Sequence, residues 1–209
     1  MRFLSRSISD QWFVAVAGGG LLALSVLWVV HGSRAAVAQA CYHRAKYGAA
    51  NAEASKIVGL CRRAYALYPW NYYFSIESSE RAYKAAFGMG EGSSRQDMLR
   101  QSQFWCERGL TQNRWRSQLR RLKTRFLWEA SPSEAVRYWK AHTDWQFWEP
   151  HNHRVLVELY AKAGDFEKAE KSLRWTKGTS EYEPARQLML TEKTAWDDAL
   201  KENAEGWGE

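Results

Sequence analysis

The sequence predicts an all-α protein: one apolar, membrane-spanning helix followed by an array of antiparallel helix pairs. Three observations carry this prediction. The run Trp12–Val30 contains no charged residue. Only four prolines interrupt 209 residues, so long helices have room to form. Behind the apolar run, apolar residues recur at helical spacing in hairpin-sized blocks that resemble one another about every 34 residues. A hydrophobic content of 45% with 25% charged residues places the chain among globular rather than disordered sequences.

Residues 1–11 form a short basic tail, with Arg2 and Arg6 set against Asp10. Residues 12–30 form the anchor. At 1.5 Å per residue they reach about 28 Å, close to the thickness of a hydrocarbon core. Trp12 and Trp28 lie near its ends, where aromatic rings favour the membrane interface. Bilayer helices tolerate glycines such as Gly18, Gly19 and Gly20 and use them for close packing.

A cleaved signal peptide is the rival reading, because Ala38-Gln39-Ala40 stands as an A-x-A site before Cys41. The apolar run exceeds the usual signal core of about 7–15 residues, and the site lies well beyond Val30. A retained signal anchor is therefore the expectation. Arg2, Arg6 and the terminal amine give the N-terminal flank a small excess of positive charge. The positive-inside rule then puts the N-terminus inside. In a bacterium this would be an inner-membrane protein with its helical domain in the periplasm.

Residues 37–209 form the helical repeat domain. Its clearest unit is His151–Lys177, in which Leu156, Tyr160, Gly164, Ala169 and Leu173 define a helix–turn–helix. Gly164 ends the first helix, where a left-handed residue without a Cβ is cheap. Asp165 caps the second. Ala169 lets the two helices approach, with Tyr160 and Leu173 filling the space beside it. A weaker copy precedes it: Leu122, Phe126, Ala135 and Trp139 take the places of Leu156, Tyr160, Ala169 and Leu173. Ser131-Pro132-Ser133-Glu134 between its helices reads as a capping box with proline at the first helical position.

A first copy spans Ala38–Pro69, closed by the proline. Trp70–Phe87 and Arg95–Leu110 make a further pair, separated by a glycine-rich insert at 88–94. Pro184–Lys201 is a terminal capping helix with Leu188, Ala195, Trp196 and Leu200 near one face.

The unit at 151–177 resembles a tetratricopeptide repeat (TPR), and the resemblance extends in weaker form across most of the chain behind the anchor. It implies a right-handed α-solenoid of about four helix pairs, whose first helices line a concave groove for a protein partner. Ordinary helical hairpins and the RNA-reading pentatricopeptide class remain alternatives; the Gly164-Asp165 turn and the apolar anchor argue against the latter. Carried onto this sequence, the groove receives Tyr42 and Lys46, then Tyr73, Ile76 and Glu80, then Arg120, Thr124 and Trp128, then Arg154, Glu158 and Lys162. The family's carboxylate-clamping subset uses asparagines with lysines, and those asparagines have no counterpart here. The same phase places Cys41 and Cys61 opposite one another in the first hairpin, where a disulfide and two buried thiols are equal alternatives.

The net charge of +7 suits an acidic peptide, an anionic membrane surface or a nucleic acid. Twelve tryptophans and ten tyrosines exceed what a core of this size needs and leave rings for an interface. The cysteines Cys41, Cys61 and Cys106 lack metal-type spacing, and the histidines form no H-E-x-x-H. No nucleophile elbow, phosphate loop or dinucleotide fingerprint is present. The sequence therefore predicts no metal, no cofactor and no enzyme. It predicts a single-pass scaffold or assembly factor that holds a protein partner, such as an acidic peptide or helix, beside a membrane. The alternatives are an accessory subunit of an integral membrane complex and a nucleic-acid-binding repeat protein. Oligomeric state is left open.

Overall fold

The computed structural model describes residues 8–48 and 53–205. Among them every regular element is helical: α1 (Ile8–Tyr47), α2 (Ala54–Leu67), α3 (Tyr73–Phe87), α4 (Ser93–Gln112), α5 (Ser117–Ala130), α6 (Pro132–Trp145), α7 (Pro150–Lys162), α8 (Phe166–Leu173) and α9 (Tyr182–Glu205). A 3-10 turn, Arg174–Thr176, follows α8. The chain divides into two compact units, Met1–Trp105 and Cys106–Glu209, with the boundary inside α4.

In the first unit, α1 is long and apolar enough to cross a membrane, with a mean hydropathy of 2.3 in its most apolar window and none of that window buried in the protein. The helix does not stop at the end of the apolar run. It continues through Arg34 to Tyr47 and becomes the first helix of the α1–α2 hairpin. The transition is a change of face. From Trp12 to Val30 the helix is exposed all round, whereas beyond it Ala38, Tyr42 and Ala45 form a buried stripe at i, i+4 and i+7.

Ala45 packs against Ile57 and Cys61. One to two turns back along α1, Ala38 and Tyr42 pack against Ala64 of α2 and Phe74 of α3. Numbers fall on α1 as they rise on α2, so the helices are antiparallel. α3 turns back again, because Val58 meets Ala82 while Ala64 meets Phe74. The first half of α4 joins through Trp105, which packs on Val58 and Ala82 and meets Tyr65 edge to face at 5.3 Å. Ser102 Oγ donates to the Ser79 carbonyl at 2.7 Å.

The second unit is built on one cluster in which Leu156, Tyr160, Ala169 and Leu173 meet Trp139, Ala185 and Met189. Consecutive helices pack as hairpins, α5 on α6 and α7 on α8, with α6 also on α7 and α9 on both α7 and α8. Trp139 is fully buried, and its indole N–H donates to the Asn152 carbonyl at 3.0 Å. The α7–α8 turn is a Schellman motif. Gly164 stands at φ +75°. The Asp165 N–H reaches the Tyr160 carbonyl at 2.9 Å, and the Gly164 N–H reaches Ala161 at 3.0 Å. Asp165 then caps α8 by accepting from the Lys168 N–H at 3.1 Å.

Two local expectations, the Ser131 cap and the packing of the terminal helix, differ from the structure. Ser131 is the N-cap residue of α6, but its side chain accepts no capping hydrogen bond; its hydroxyl lies 3.2 Å from that of Ser133 instead. Of the two alternatives left open for the first hairpin, the structure has free thiols, with Cys61 buried and Cys41 half-buried. They sit in neighbouring layers of the hairpin, Cys61 with Ala45 and Ile57, Cys41 beside Ala38 and Tyr42. The terminal helix packs mainly through its first half, with the Trp196 ring further on lying against Gly164. Ala185 and Met189 are buried and Leu188 partly so, whereas Leu200 is exposed.

Candidate functional site

The second unit carries a charged surface along α5, α7 and the start of α9. Arg121 of α5 pairs with Glu158 of α7 at 3.8 Å. Lys162 holds the other side of Glu158 at 3.0 Å, one turn on. Arg154, one turn back, pairs with Glu181 at 3.2 Å, and His151 approaches the same carboxylate at 3.7 Å. Residues 151, 154, 158 and 162 form a single stripe because helix neighbours recur at three and four residues. The α5 side adds Arg125, whose charge acts on both Arg121 and Glu158.

Burial opposes ionisation of Glu158. The Lys162 hydrogen bond and the charges of Lys162, Arg121 and Arg125 outweigh it and hold the carboxyl below its usual range. Burial and the neighbouring Arg125 pull the Arg121 guanidinium below its ordinary value. Burial and the Arg121 charge also depress His151, which is therefore neutral at pH 7. Four cations thus face two carboxylates, and the surface keeps a positive excess.

A second surface of the same unit is aromatic. Trp115 and Trp145 stack with ring centroids 4.1 Å apart. Arg114 and Arg120 lie over the Trp115 ring at 4.9 and 5.2 Å. Two residues beyond Trp145, Phe147 meets Trp148 and Trp175 edge to face, and Trp175 stacks on His153 at 5.2 Å. Trp145, Phe147, Trp148 and Trp175 are all exposed. Burial lowers the basicity of His153, whose ring Nε2 lies 2.7 Å from the Phe147 carbonyl. The sequence pointed to surplus rings for an interface but not to these four. The signal that could have marked them is the placing of Trp145-Gln146-Phe147-Trp148 after the last buried positions of α6.

The structure gathers some of the expected groove residues and scatters others. Arg154, Glu158 and Lys162 lie together as described. Arg120 turns away from them: its Nε donates to the Arg114 carbonyl at 2.8 Å, and its guanidinium lies over Tyr138 at 4.8 Å. One residue on a helix is about 100° of rotation, so Arg121 takes the facing position instead. Thr124 is buried and bonds the Arg120 carbonyl at 2.8 Å, while Trp128 is half-buried against the core cluster.

In the first unit Tyr42 and Ile76 are core residues. Phe74 through Ser79 are buried consecutively, more than one full turn, so this part of α3 has no free face. Glu80 is half-buried. Tyr73 is exposed, as is Lys46, whose ammonium lies 5.7 Å above the Tyr42 ring. The repeat-defining Leu156, Tyr160, Ala169 and Leu173 are all core, with Gly164 in the turn.

What the fold defines is an all-helical chain with one long, apolar N-terminal helix. Compared with family models, with curated proteins and with solved structures, the chain matches none.

Proposed function

We propose that this chain is a single-pass membrane protein whose TPR-like helical hairpins hold an acidic segment of a partner protein. The observation that carries the reading is the half-buried ion-pair stripe Arg121–Glu158–Lys162 and Arg154–Glu181, with its surplus of positive charge. Such a surface attracts a carboxylate-bearing peptide. It selects by charge placement, because each incoming carboxylate competes with Glu158 or Glu181 for a fixed guanidinium. The exposed Trp145, Phe147, Trp148 and Trp175 supply apolar anchors of the kind that dominate interface energetics. The anchor confines the domain to a surface, which raises the effective concentration of a partner held at the same membrane. The helical domain lies on the side opposite the basic N-terminal tail, which in a bacterium is the periplasm.

The test is site-specific photocrosslinking in living cells from Arg125, which is exposed at the rim of the stripe. A discrete protein adduct that disappears with Arg154→Glu and with Arg121→Glu supports the reading. Adducts to nucleic acid, or protein adducts indifferent to both reversals, refute it.

A further inference from the structure

The turn between α2 and α3, Tyr68-Pro69-Trp70-Asn71-Tyr72-Tyr73, is unusually aromatic, and its position in the first unit is fixed. On one side, Leu67 and Tyr68 pack against the Ala38–Tyr42–Ala64 cluster. On the other, Phe74 is buried in the same cluster, with its ring 5.3 Å from that of Tyr42. The turn is thus held at the level of Ala38 on α1. The antiparallel course of α2 aims it further toward the N-terminal, apolar half of that helix. Trp70 at its tip is 79% exposed, the highest value among the large apolar side chains of the chain's described residues. Tyr72 and Tyr73 stack beside it at 4.5 Å, and the Asn71 side chain accepts from the Tyr73 N–H at 3.1 Å, which shapes the bend.

The α1 helix is continuous, so axial distances along it can be reckoned. Ala38 lies about 12 Å past Val30, where the apolar run ends. Trp70 is three residues beyond Leu67, a reach of up to about 10 Å toward the same boundary. The polar interfacial zone of a bilayer occupies about 5–7 Å on each side of the hydrocarbon. The tip of the turn is therefore within reach of that zone, in which the exposed Arg34 also lies. Tryptophan and tyrosine favour this zone because their rings are apolar and their N–H or O–H groups stay wet.

We propose that the Tyr68–Tyr73 turn is a second membrane contact, with Trp70 seated in the bilayer interface beside α1. This rests on the reading of α1 as a membrane anchor. The contact gives the first unit two points of attachment, the α1 stem and the α2–α3 turn, so the bilayer limits how far α1 can tilt. The occupant is lipid because Trp70, the most exposed of the unit's rings outside α1, stands at the end of the hairpin nearest the apolar run.

The experiment places p-benzoylphenylalanine singly at Leu24, Trp70 and Phe87 of the full chain. The protein is reconstituted in phosphatidylcholine vesicles with a minority of phosphatidylglycerol, and lipid adducts are counted by mass spectrometry. Phe87 is exposed at the opposite end of α3 and serves as the remote control. The expected result is abundant adduct at 24 and a yield at 70 at least about tenfold above that at 87. Adduct at 24 with none at 70, or equal yields at 70 and 87, overturns the second contact and leaves the anchor standing. No adduct at 24 overturns the anchor, and the contact with it.

Discussion

The indole of Trp196 lies directly over the Cα of Gly164. A Cβ built on this glycine would stand 3.0 Å from Trp196 Cζ2 and 3.2 Å from two further atoms of the ring. The glycine is needed twice, once for its backbone and once for the neighbour. Its φ of +75° lies where side-chain-bearing residues cost about 1–2 kcal/mol, and the indole occupies the space the methyl would take. Gly164→Ala is therefore expected to destabilise the protein by about 2 kcal/mol in urea unfolding. In a Trp196→Ala background the same change should cost only the backbone part, about 1 kcal/mol. Equal costs in both backgrounds would show that Trp196 plays no part.

His142 is fully buried edge to face with Trp139, its ring centroid 5.0 Å away, and neither ring nitrogen has a hydrogen-bond partner. Burial, assisted by the Arg120 charge, lowers its pKa from 6.5 to about 4. The unfolded chain then binds a proton between pH 6.5 and 4 that the folded chain refuses. Stability should be at its full value above pH 6.5 and fall as the pH drops toward 4, by on the order of 3 kcal/mol. His151 and His153, also depressed, act in the same direction. His142→Phe should flatten most of this slope in thermal unfolding measured across the window. A slope unchanged by the substitution would place the proton uptake elsewhere.

The thiols invite a reactivity measurement. Burial pushes Cys61 up to about 11 and Cys106 up to about 12, so both hold very little thiolate at neutral pH. Cys41 is only half-buried. Alkylation of the native protein at pH 7.5 should label Cys41 first. Cys61 and Cys106 should react at least about a hundredfold more slowly, and denaturant should remove the difference. Intact mass should not change on reduction. A two-hydrogen gain would reveal a Cys41–Cys61 disulfide and correct the free-thiol arrangement.

What could be read from the sequence was what depends on near neighbours. Gly164-Asp165 is a local turn signal, and the structure makes it a Schellman motif with an aspartate cap. Trp139, Ala135, Leu156, Tyr160, Ala169 and Leu173 follow the helical period, and all are buried. What could not be read was phase and face. The apolar run gives way to charge at Arg34, yet α1 runs on because Ala38, Tyr42 and Ala45 keep one narrow stripe within a polar stretch. Arg120 and Arg121 are indistinguishable by composition, and only the packing of α5 on α6 decides which of them turns toward α7. The composition shows a surplus of rings, but only the packing of α6 and α7 shows that Trp145, Phe147 and Trp148 are among those left exposed.

The stripe on α5 and α7 yields a prediction that separates binding from stability. Arg121 and Glu158 are each partly exposed, at 30% and 23% of their side chains, and exposed pairs of this kind contribute about 0.2–1 kcal/mol. Glu158→Gln should therefore alter unfolding free energy by less than about 1 kcal/mol. The substitution does something different to the surface. It removes the carboxylate that now engages Arg121 and Lys162, so both cations become available to an incoming acidic group. Binding of a fluorescent polyglutamate peptide should tighten by several-fold, to about tenfold at low salt, and the gain should shrink as salt is added. Arg121→Met in the same protein should cancel much of the gain. Unchanged peptide affinity would mean that the stripe does not receive an acidic ligand.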